Sequence, residues 1–175
     1  MEQVWTRLRA WLVGNTSELG ALLNPPATHA QIEHAEAAMG LRFPPSLRLS
    51  YLCHDGESPD SAGLFELWRF LPLDEVVEWW NELRDCRTGD PGDFDTTSCI
   101  PVLWSEGDVC YVRTSPSDAE TPLIAWSHDG PAEQLGADSF GAFITQFADA
   151  VERAEYVEDE DGMLALQRAQ LVGGR

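Results

Sequence analysis

Apolar residues at helical spacing dominate the first half of the chain and return near its end. The helices they predict begin near residues 2, 18, 29, 46, 73 and 140. Thr28 begins a Thr-x-x-Gln capping box, Gly40 stands where a left-handed C-terminal cap belongs, and Ser139 is a helix N-cap. A final amphipathic helix is predicted over residues 160–172, from the positions Met163, Leu164, Leu166 and Leu171.

Short apolar and aromatic segments in the middle of the chain predict β-strands. They lie at 64–71, 100–104, 109–113, 123–127 and, as a weaker pattern, 133–135. Ser105-Glu106-Gly107-Asp108 is interpreted as a four-residue hairpin loop. The predicted elements run in the order helices, a meander of strands, then helices again, and this order predicts a single α+β domain. We expect a mainly antiparallel central sheet of about four to six strands, flanked by N-terminal and C-terminal helices.

The chain is strongly acidic. Its 175 residues carry 30 Asp and Glu against 11 Arg and no Lys, for a formal net charge of −19. Because nucleic acids and anionic membranes are bound through Lys and Arg, this charge argues against direct binding to either. It would attract and steer a basic protein partner. The alternative, that the charge only keeps the protein soluble, stays open on charge alone.

The N-terminal segment and the cysteines favour a cytoplasmic protein. Apolar runs are too short to span a bilayer, and residues 1–13 lack the basic start and continuous apolar stretch of a secretory signal. Four cysteines are spread along the chain without a Cys-x-x-Cys pair, which argues against structural zinc. We expect reduced, mostly buried thiols at Cys53, Cys86, Cys99 and Cys110.

The sequence does not assemble a catalytic or metal-binding set. His54-Asp55-Gly56 and His128-Asp129-Gly130 contain the His-Asp pair of some metal phosphohydrolases, but each has the composition of a turn. The acidic segments lack the spacing of a calcium loop, and no serine-hydrolase elbow or phosphate-binding glycine loop is present. Glu33 and Glu36 lie one helical turn apart with nothing to complete an acid–base site. We expect a non-enzymatic protein without a cofactor or metal, with a His-Asp metal hydrolase as the alternative.

Tryptophans and acids supply the candidates for a binding surface. Trp5, Trp11 and Trp80 fit inner helix faces and are assigned to the core. The strand tryptophans have polar neighbours, and Trp provides rigid area with a polar handle at binding hot spots. Packing of the sheet on helices is the alternative for each of them. The predicted partner-binding residues are Trp68, Asp90, Asp93, Asp95, Trp104, Asp108 and Trp126.

Several short motifs follow one another in a recognisable order, at Trp5, Trp11, Ile32, Glu36, Leu41, Pro45, Leu47, Tyr51, 54–56, Trp68, 71–73, Trp79, Trp80, Pro101, Trp126, His128, Asp129, Ser139 and Phe140. Their order resembles the SUKH superfamily, which includes fungal Smi/Knr-type cell-wall assembly regulators and many bacterial toxin-immunity proteins. The resemblance covers about residues 2–157, and 158–175 are interpreted as an appended acidic segment and C-terminal helix. The chain departs from the pattern at Leu67 and in the Asp-rich loop 86–98.

This resemblance implies an α+β fold and a non-catalytic binding role. In bacteria that role is typically the neutralisation of a toxin domain, often a nuclease or a deaminase. The resemblance and the acidity together predict an immunity protein that binds a basic toxin domain. The alternative is a housekeeping interaction or regulatory protein linked to cell-wall or envelope assembly.

Overall fold

The computed structural model of the chain describes residues 1–16, 18–66, 68–86, 94–115, 117, 119–127, 132–160 and 162–167. In these residues the helices are α1 (Glu2–Asn15), α2 (His29–Met39), α3 (Pro45–Tyr51), α4 (Leu73–Asp85) and α5 (Phe140–Glu152), with a 3-10 turn at Leu19–Ala21. The strands are β1 (Arg69–Phe70), β2 (Cys99–Ser105), β3 (Asp108–Arg113), β4 (Ile124–Trp126), β5 (Glu133–Gln134), β6 (Tyr156–Glu158) and β7 (Leu164–Leu166).

Strands β1 to β5 form one antiparallel sheet in which each strand pairs with the next along the chain. Helices precede and follow this sheet, and α4 is inserted between β1 and β2. The predicted α+β fold with an antiparallel central sheet and flanking helices is therefore confirmed. Strands β6 and β7 form a separate hairpin.

The helix ends that the sequence marked are also confirmed. Thr28 and Gln31 form the full capping box, in which each side chain satisfies the other residue's backbone N–H. Gly40 adopts the left-handed conformation, with φ 69°, at the end of α2. The Ser139 side chain accepts the backbone N–H of Ala142 at the start of α5. These local signals set the limits of both helices.

The sheet separates a main core from a smaller aromatic cluster. Phe70 of β1 joins the helices to the sheet in the main core, since its ring lies 5.9 Å from Trp5 of α1 and 5.2 Å from Phe140 of α5. On the opposite face, which we call the outer face, a smaller cluster is built from Phe94, Cys99, Val109 and Tyr111. Alternation along β3 sends its residues to the two faces in turn.

Two predictions about local structure are wrong. Ser105 pairs with Asp108, so the β2–β3 connection has two residues, Glu106 and Gly107, both with positive φ. This is the backbone that a tight two-residue hairpin turn requires. The helix predicted over 160–172 is instead strand β7 at Leu164–Leu166, because a turn with positive φ at Gly162 returns the chain to pair with β6. Residues 161 and 168–175 lie outside the described residues.

Candidate partner-binding surface

The outer face brings together two of the predicted binding tryptophans. In the sheet register Trp104 and Trp126 both stand opposite Val109, one on each side of β3. Both tryptophans are half-buried and pack against the smaller cluster. Trp68 is not part of this arrangement, because it packs against the main core and not against the smaller cluster, whereas Trp104 contacts both. The predicted tryptophan set is thus divided between the two faces of the sheet.

The predicted acidic residues have different surroundings. Asp95 organises its own turn, accepting hydrogen bonds from Ser98 Oγ at 2.6 Å and from the Thr97 backbone N–H at 3.0 Å. These bonds, that of Ser98 first, lower the pKa of Asp95. Asp108 is half-buried at the start of β3. Asp90 and Asp93 lie outside the described residues, as do His128, Asp129 and Gly130.

Helix α4 covers one end of the outer face. The ring of Trp79 lies 5.8 Å from the ring of Trp104. Arg69 lies over the Trp104 ring, 5.9 Å from its centre, and forms a two-bond ion pair with Glu75. Trp80 fixes α4 to the following loop by donating its Nε1–H to the Thr96 carbonyl at 3.1 Å. The indole Nε1 of Trp104 is buried without a hydrogen-bond partner among the described residues.

The exposed side of α4 carries a row of carboxylates that the sequence analysis did not single out. We call this set the acidic row; its members are Asp74, Glu78, Glu82 and Asp85, all exposed. Successive members are three or four positions apart, so their side chains share one helix face. Arg84 is the cation of α4, and its Nε lies 3.2 Å from Asp85. The spacing of the four acids could have revealed this face from the sequence.

The turn at residues 54–57 holds α4 in place. Asp55 Oδ1 accepts the backbone N–H of Leu73, the first residue of α4, at 2.9 Å. Gly56 has φ 67°, and a Cβ atom there would lie 2.3 Å from the nitrogen of Pro72. Tyr51 donates its hydroxyl to the Leu71 carbonyl at 2.9 Å. The first His-Asp-Gly segment therefore has a structural role, because Asp55 and Gly56 fix the approach to α4.

Glu57 is the most buried carboxylate of this turn, with 1% of its surface exposed. Its Oε1 accepts the Phe70 N–H at 2.7 Å, and its Oε2 accepts the Leu64 N–H at 3.0 Å and the Ser61 hydroxyl at 2.5 Å. Burial raises its pKa to about 7, against the opposing effect of these hydrogen bonds. Glu57 thereby connects the polar loop after α3 to strand β1.

A groove of about 890 Å³ lies between α2 and α4. We call it the α2–α4 groove. Its apolar lining includes Pro25, Pro26, Ala30, Ala35, Leu73 and Val77, and its acids are Asp55, Asp74 and Glu75. Burial and the neighbouring Asp74 both raise the pKa of Asp55, whereas the Leu73 hydrogen bond lowers it. Sequence spacing could not reveal this groove, because it forms only when the turn at 54–57 brings α4 beside α2.

The remaining titratable groups do not form a reaction centre in the described part of the chain. His54 is held by a 2.9 Å hydrogen bond between its Nδ1 and the Asn24 carbonyl, and burial lowers its pKa. Glu33 and Glu36 both face Arg48, at 3.6 and 2.6 Å, so they serve an ion-pair network. Within the described residues, no three His, Cys, Asp or Glu side chains are arranged to hold a metal ion.

The cysteines do not form disulfides. All four cysteines are free; Cys99 and Cys110 are buried, Cys53 is half-buried and Cys86 is exposed. Burial raises the pKa of Cys99 to about 11. A search of the described helices for one with the length and apolar character needed to cross a membrane found none.

The antiparallel sheet and the helices that flank it define an α+β protein. The family model of the SMI1 / KNR4 family (SUKH-1) matches residues 26–146, so the chain belongs to that family. This membership supports a non-catalytic protein-binding module. The resemblance seen in the sequence is therefore confirmed.

Curated relatives are similar over part of the chain. It is 31% identical over 78 residues to "Cell wall assembly regulator SMI1" of Saccharomyces cerevisiae, which covers 42% of this chain and 15% of the relative. It is 32% identical over 86 residues to "KNR4/SMI1 homolog" of Kluyveromyces lactis, covering 46% of this chain and 16% of the relative. The similarity thus spans less than a fifth of either relative's length.

Proposed function

We propose that this chain binds a basic protein domain and acts as an immunity protein that neutralises a nuclease- or deaminase-type toxin. The observation that carries the proposal is the charge of its surface. A net charge of −19 is accompanied by the acidic row along α4, with Arg84 as the cation on that helix. Membership of the SMI1 / KNR4 family agrees with a binding role.

The acidic row is difficult to explain by the stability of α4. Like charges one helical turn apart destabilise a helix by a few tenths of a kcal/mol per pair. Glu78 stands between Asp74 and Glu82 at that spacing, so it has a like charge on either side. A partner with Lys or Arg along its surface would relieve this repulsion as it binds. The same charges would accelerate its encounter with the module at low ionic strength.

We place the proposed contact on α4 and the adjoining edge of the outer face. Trp104 and Trp126 would supply the apolar part, and Asp95 and Asp108 would supply further negative charge. Asp90 and Asp93 also belong to the predicted set and lie outside the described residues. Trp68 is the weakest member of the predicted set because, unlike Trp104 and Trp126, it does not pack against the smaller cluster of the outer face. Blocking the active site or the substrate path of the toxin domain requires only that this surface cover it.

The experiment is co-expression of the chain with each basic toxin domain encoded beside its gene, with growth as the first readout. Affinity of the purified pair is then measured over a salt series. We expect rescue of growth, and affinity that falls as salt rises because exposed charges are screened. Trp126→Ala with Asp108→Asn should weaken the complex, whereas Glu133→Gln with Asp138→Asn, two exposed acids elsewhere, should not. The proposal would be contradicted if binding did not depend on salt, or if the wild-type chain did not rescue growth.

A second candidate function is supported by the printed names of the relatives. One of them is called a cell wall assembly regulator, which favours an interaction module for envelope assembly. Deletion of the gene in a strain without an adjacent toxin gene separates the two. A wall-stress phenotype restored by the chain in trans would favour the regulatory function, and normal growth under wall stress would count against it.

A further inference from the structure

The α2–α4 groove combines an apolar lining with unbalanced negative charge. Its volume of about 890 Å³ is within the range of clefts that bury a small ligand, or a few side chains of a partner. Pro25, Ala30 and Val77 belong to its apolar part, and Asp55 and Asp74 to its charged part. Arg is absent from this lining among the described residues.

The carboxylate of Asp55 has an unused acceptor in this groove. Its Oδ1 accepts the Leu73 N–H, and no hydrogen bond joins Oδ2 to the described residues. The side chain is half-buried, and the charge on Asp74 adds to the unfavourable effect of burial, so its pKa is raised. A cation placed between Asp55 and Asp74 would offset both effects.

A second groove of about 950 Å³ between α1 and α3 gives a useful contrast. It is also largely apolar, with Val13 and Leu49 exposed along it. Its charged lining contains one acid, Glu2, and one base, Arg9, so it has no charge preference comparable with that of the α2–α4 groove. Apolar area alone therefore does not distinguish the two grooves, and charge does.

We infer that the α2–α4 groove is the docking site for an extended segment of a protein partner that carries Arg or Lys among small apolar residues. The apolar residues would pack on Pro25, Ala30 and Val77, and a guanidinium or ammonium group would lie between Asp55 and Asp74. The acidic row begins at Asp74, so the same partner would continue along α4. This inference rests on the proposed function and names where on the surface the basic partner is gripped.

The test measures binding of a fluorescein-labelled peptide of alternating arginine and proline to the full-length protein, by fluorescence anisotropy at low salt. A matched peptide with citrulline in place of arginine has the same shape without the charge. In Asp55→Asn/Asp74→Asn the carbonyl oxygens can still accept the Leu73 and Glu75 N–H groups while both charges are removed. Loss of two partly exposed charge contacts should weaken binding about tenfold, which corresponds to about 1.4 kcal/mol.

Two further variants separate the groove from net charge. Glu106→Gln/Glu133→Gln removes two exposed carboxylates outside the groove and should change the dissociation constant less than about threefold, because only long-range attraction is reduced. Ala30→Leu fills the groove at an exposed helix position without changing charge and should also weaken binding about tenfold.

The outcomes distinguish the inference from the proposed function. The inference is supported if both groove variants weaken binding of the arginine peptide about tenfold, the distant pair changes it less than about threefold, and the citrulline peptide binds more weakly than the arginine peptide. Equal effects of the groove and distant pairs, or no effect of Ala30→Leu, would overturn the groove and leave a general preference for basic partners. Failure of the wild-type protein to prefer the arginine peptide over the citrulline peptide would overturn both the groove and the preference for a basic partner.

Discussion

The ionisation of Glu57 should make the protein less stable as the pH rises from mildly acidic to mildly basic. The pKa of its carboxyl is 4.5 in the unfolded chain and about 7 in the folded protein. Between these values the folded protein keeps a proton that the unfolded chain has released, so raising the pH favours unfolding. Below 4.5 both states are protonated and above 7 both are ionised, so Glu57 changes stability only in between. At 1.36 kcal/mol per pKa unit, the loss from pH 5 to pH 8 is about 2.5 kcal/mol.

Glu57→Gln isolates this effect because glutamine has nearly the same shape and does not ionise. At pH 5 the variant should be about 1–3 kcal/mol less stable than the wild type, since its amide nitrogen replaces an acceptor of the Leu64 N–H and Ser61 hydroxyl. The wild-type advantage should shrink by about 2.5 kcal/mol by pH 8. His54 acts in the opposite direction, because its lowered pKa favours folding as the pH rises, but it is common to both proteins.

The assay is urea unfolding followed by tryptophan fluorescence at pH 5 and pH 8, with the free energy of unfolding taken by linear extrapolation. Glu106→Gln, at the exposed β2–β3 turn, is the control and should match the wild type at both pH values. A difference between wild type and Glu57→Gln that stays constant within about 0.5 kcal/mol across the two pH values would refute the reasoning. The hydrogen bonds from Phe70, Leu64 and Ser61 would then offset the effect of burial on the ionisation of Glu57.

Three other variants test the turn and the helix that it positions. Gly56→Ala should prevent stable folding or destabilise the protein by several kcal/mol, because its Cβ would lie 2.3 Å from the Pro72 nitrogen. Thermal unfolding followed by circular dichroism measures the effect. Gly107→Ala is the control, because Gly107 also has positive φ but no atom lies near its added Cβ. Tyr51→Phe removes a buried hydrogen bond and leaves a carbonyl unsatisfied, so chemical denaturation should show a loss of about 1–3 kcal/mol. Glu78→Gln/Glu82→Gln should raise the melting temperature of the free protein by a few degrees by relieving repulsion, while weakening its complex with a basic partner. An unchanged or lower melting temperature would show that the acidic row does not oppose folding.

The order of elements could be predicted from the sequence because local chemistry determines most of it. The capping box at Thr28, the left-handed Gly40 and the N-cap at Ser139 each act within a few residues, and each is observed. The prediction of a final helix was wrong because Leu164–Leu166 pairs with β6, and the spacing of apolar residues does not reveal such a tertiary interaction. Local sequence patterns are thus reliable where nearby residues satisfy the hydrogen bonds of a helix end. They are unreliable where pairing with a distant strand determines the local structure.

The candidate site was less predictable, because its parts come from distant positions. Trp104 and Trp126 meet across β3 only through strand pairing, and the same pairing leaves Trp68 with the main core. The link from Asp55 to the first residue of α4 crosses 18 positions, and no sequence motif marks it. The acids of α4 are the exception, since their spacing of three and four positions already places them on one helix face.

The turn at 54–57 gives the folded domain and the proposed binding surface a common support. Asp55 and Gly56 fix the start of α4, while Glu57 and Tyr51 fix the two residues of chain, Phe70 and Leu71, that lead into it. The same helix forms one side of the α2–α4 groove, carries the acidic row and places Trp79 against Trp104. Weakening the turn should therefore disturb all three together. Neutralising carboxylates on the exposed face of α4 should alter binding while the turn and the core remain intact. The two kinds of variant should therefore differ in sign, because weakening the turn lowers the free energy of unfolding whereas neutralising the acidic row raises it.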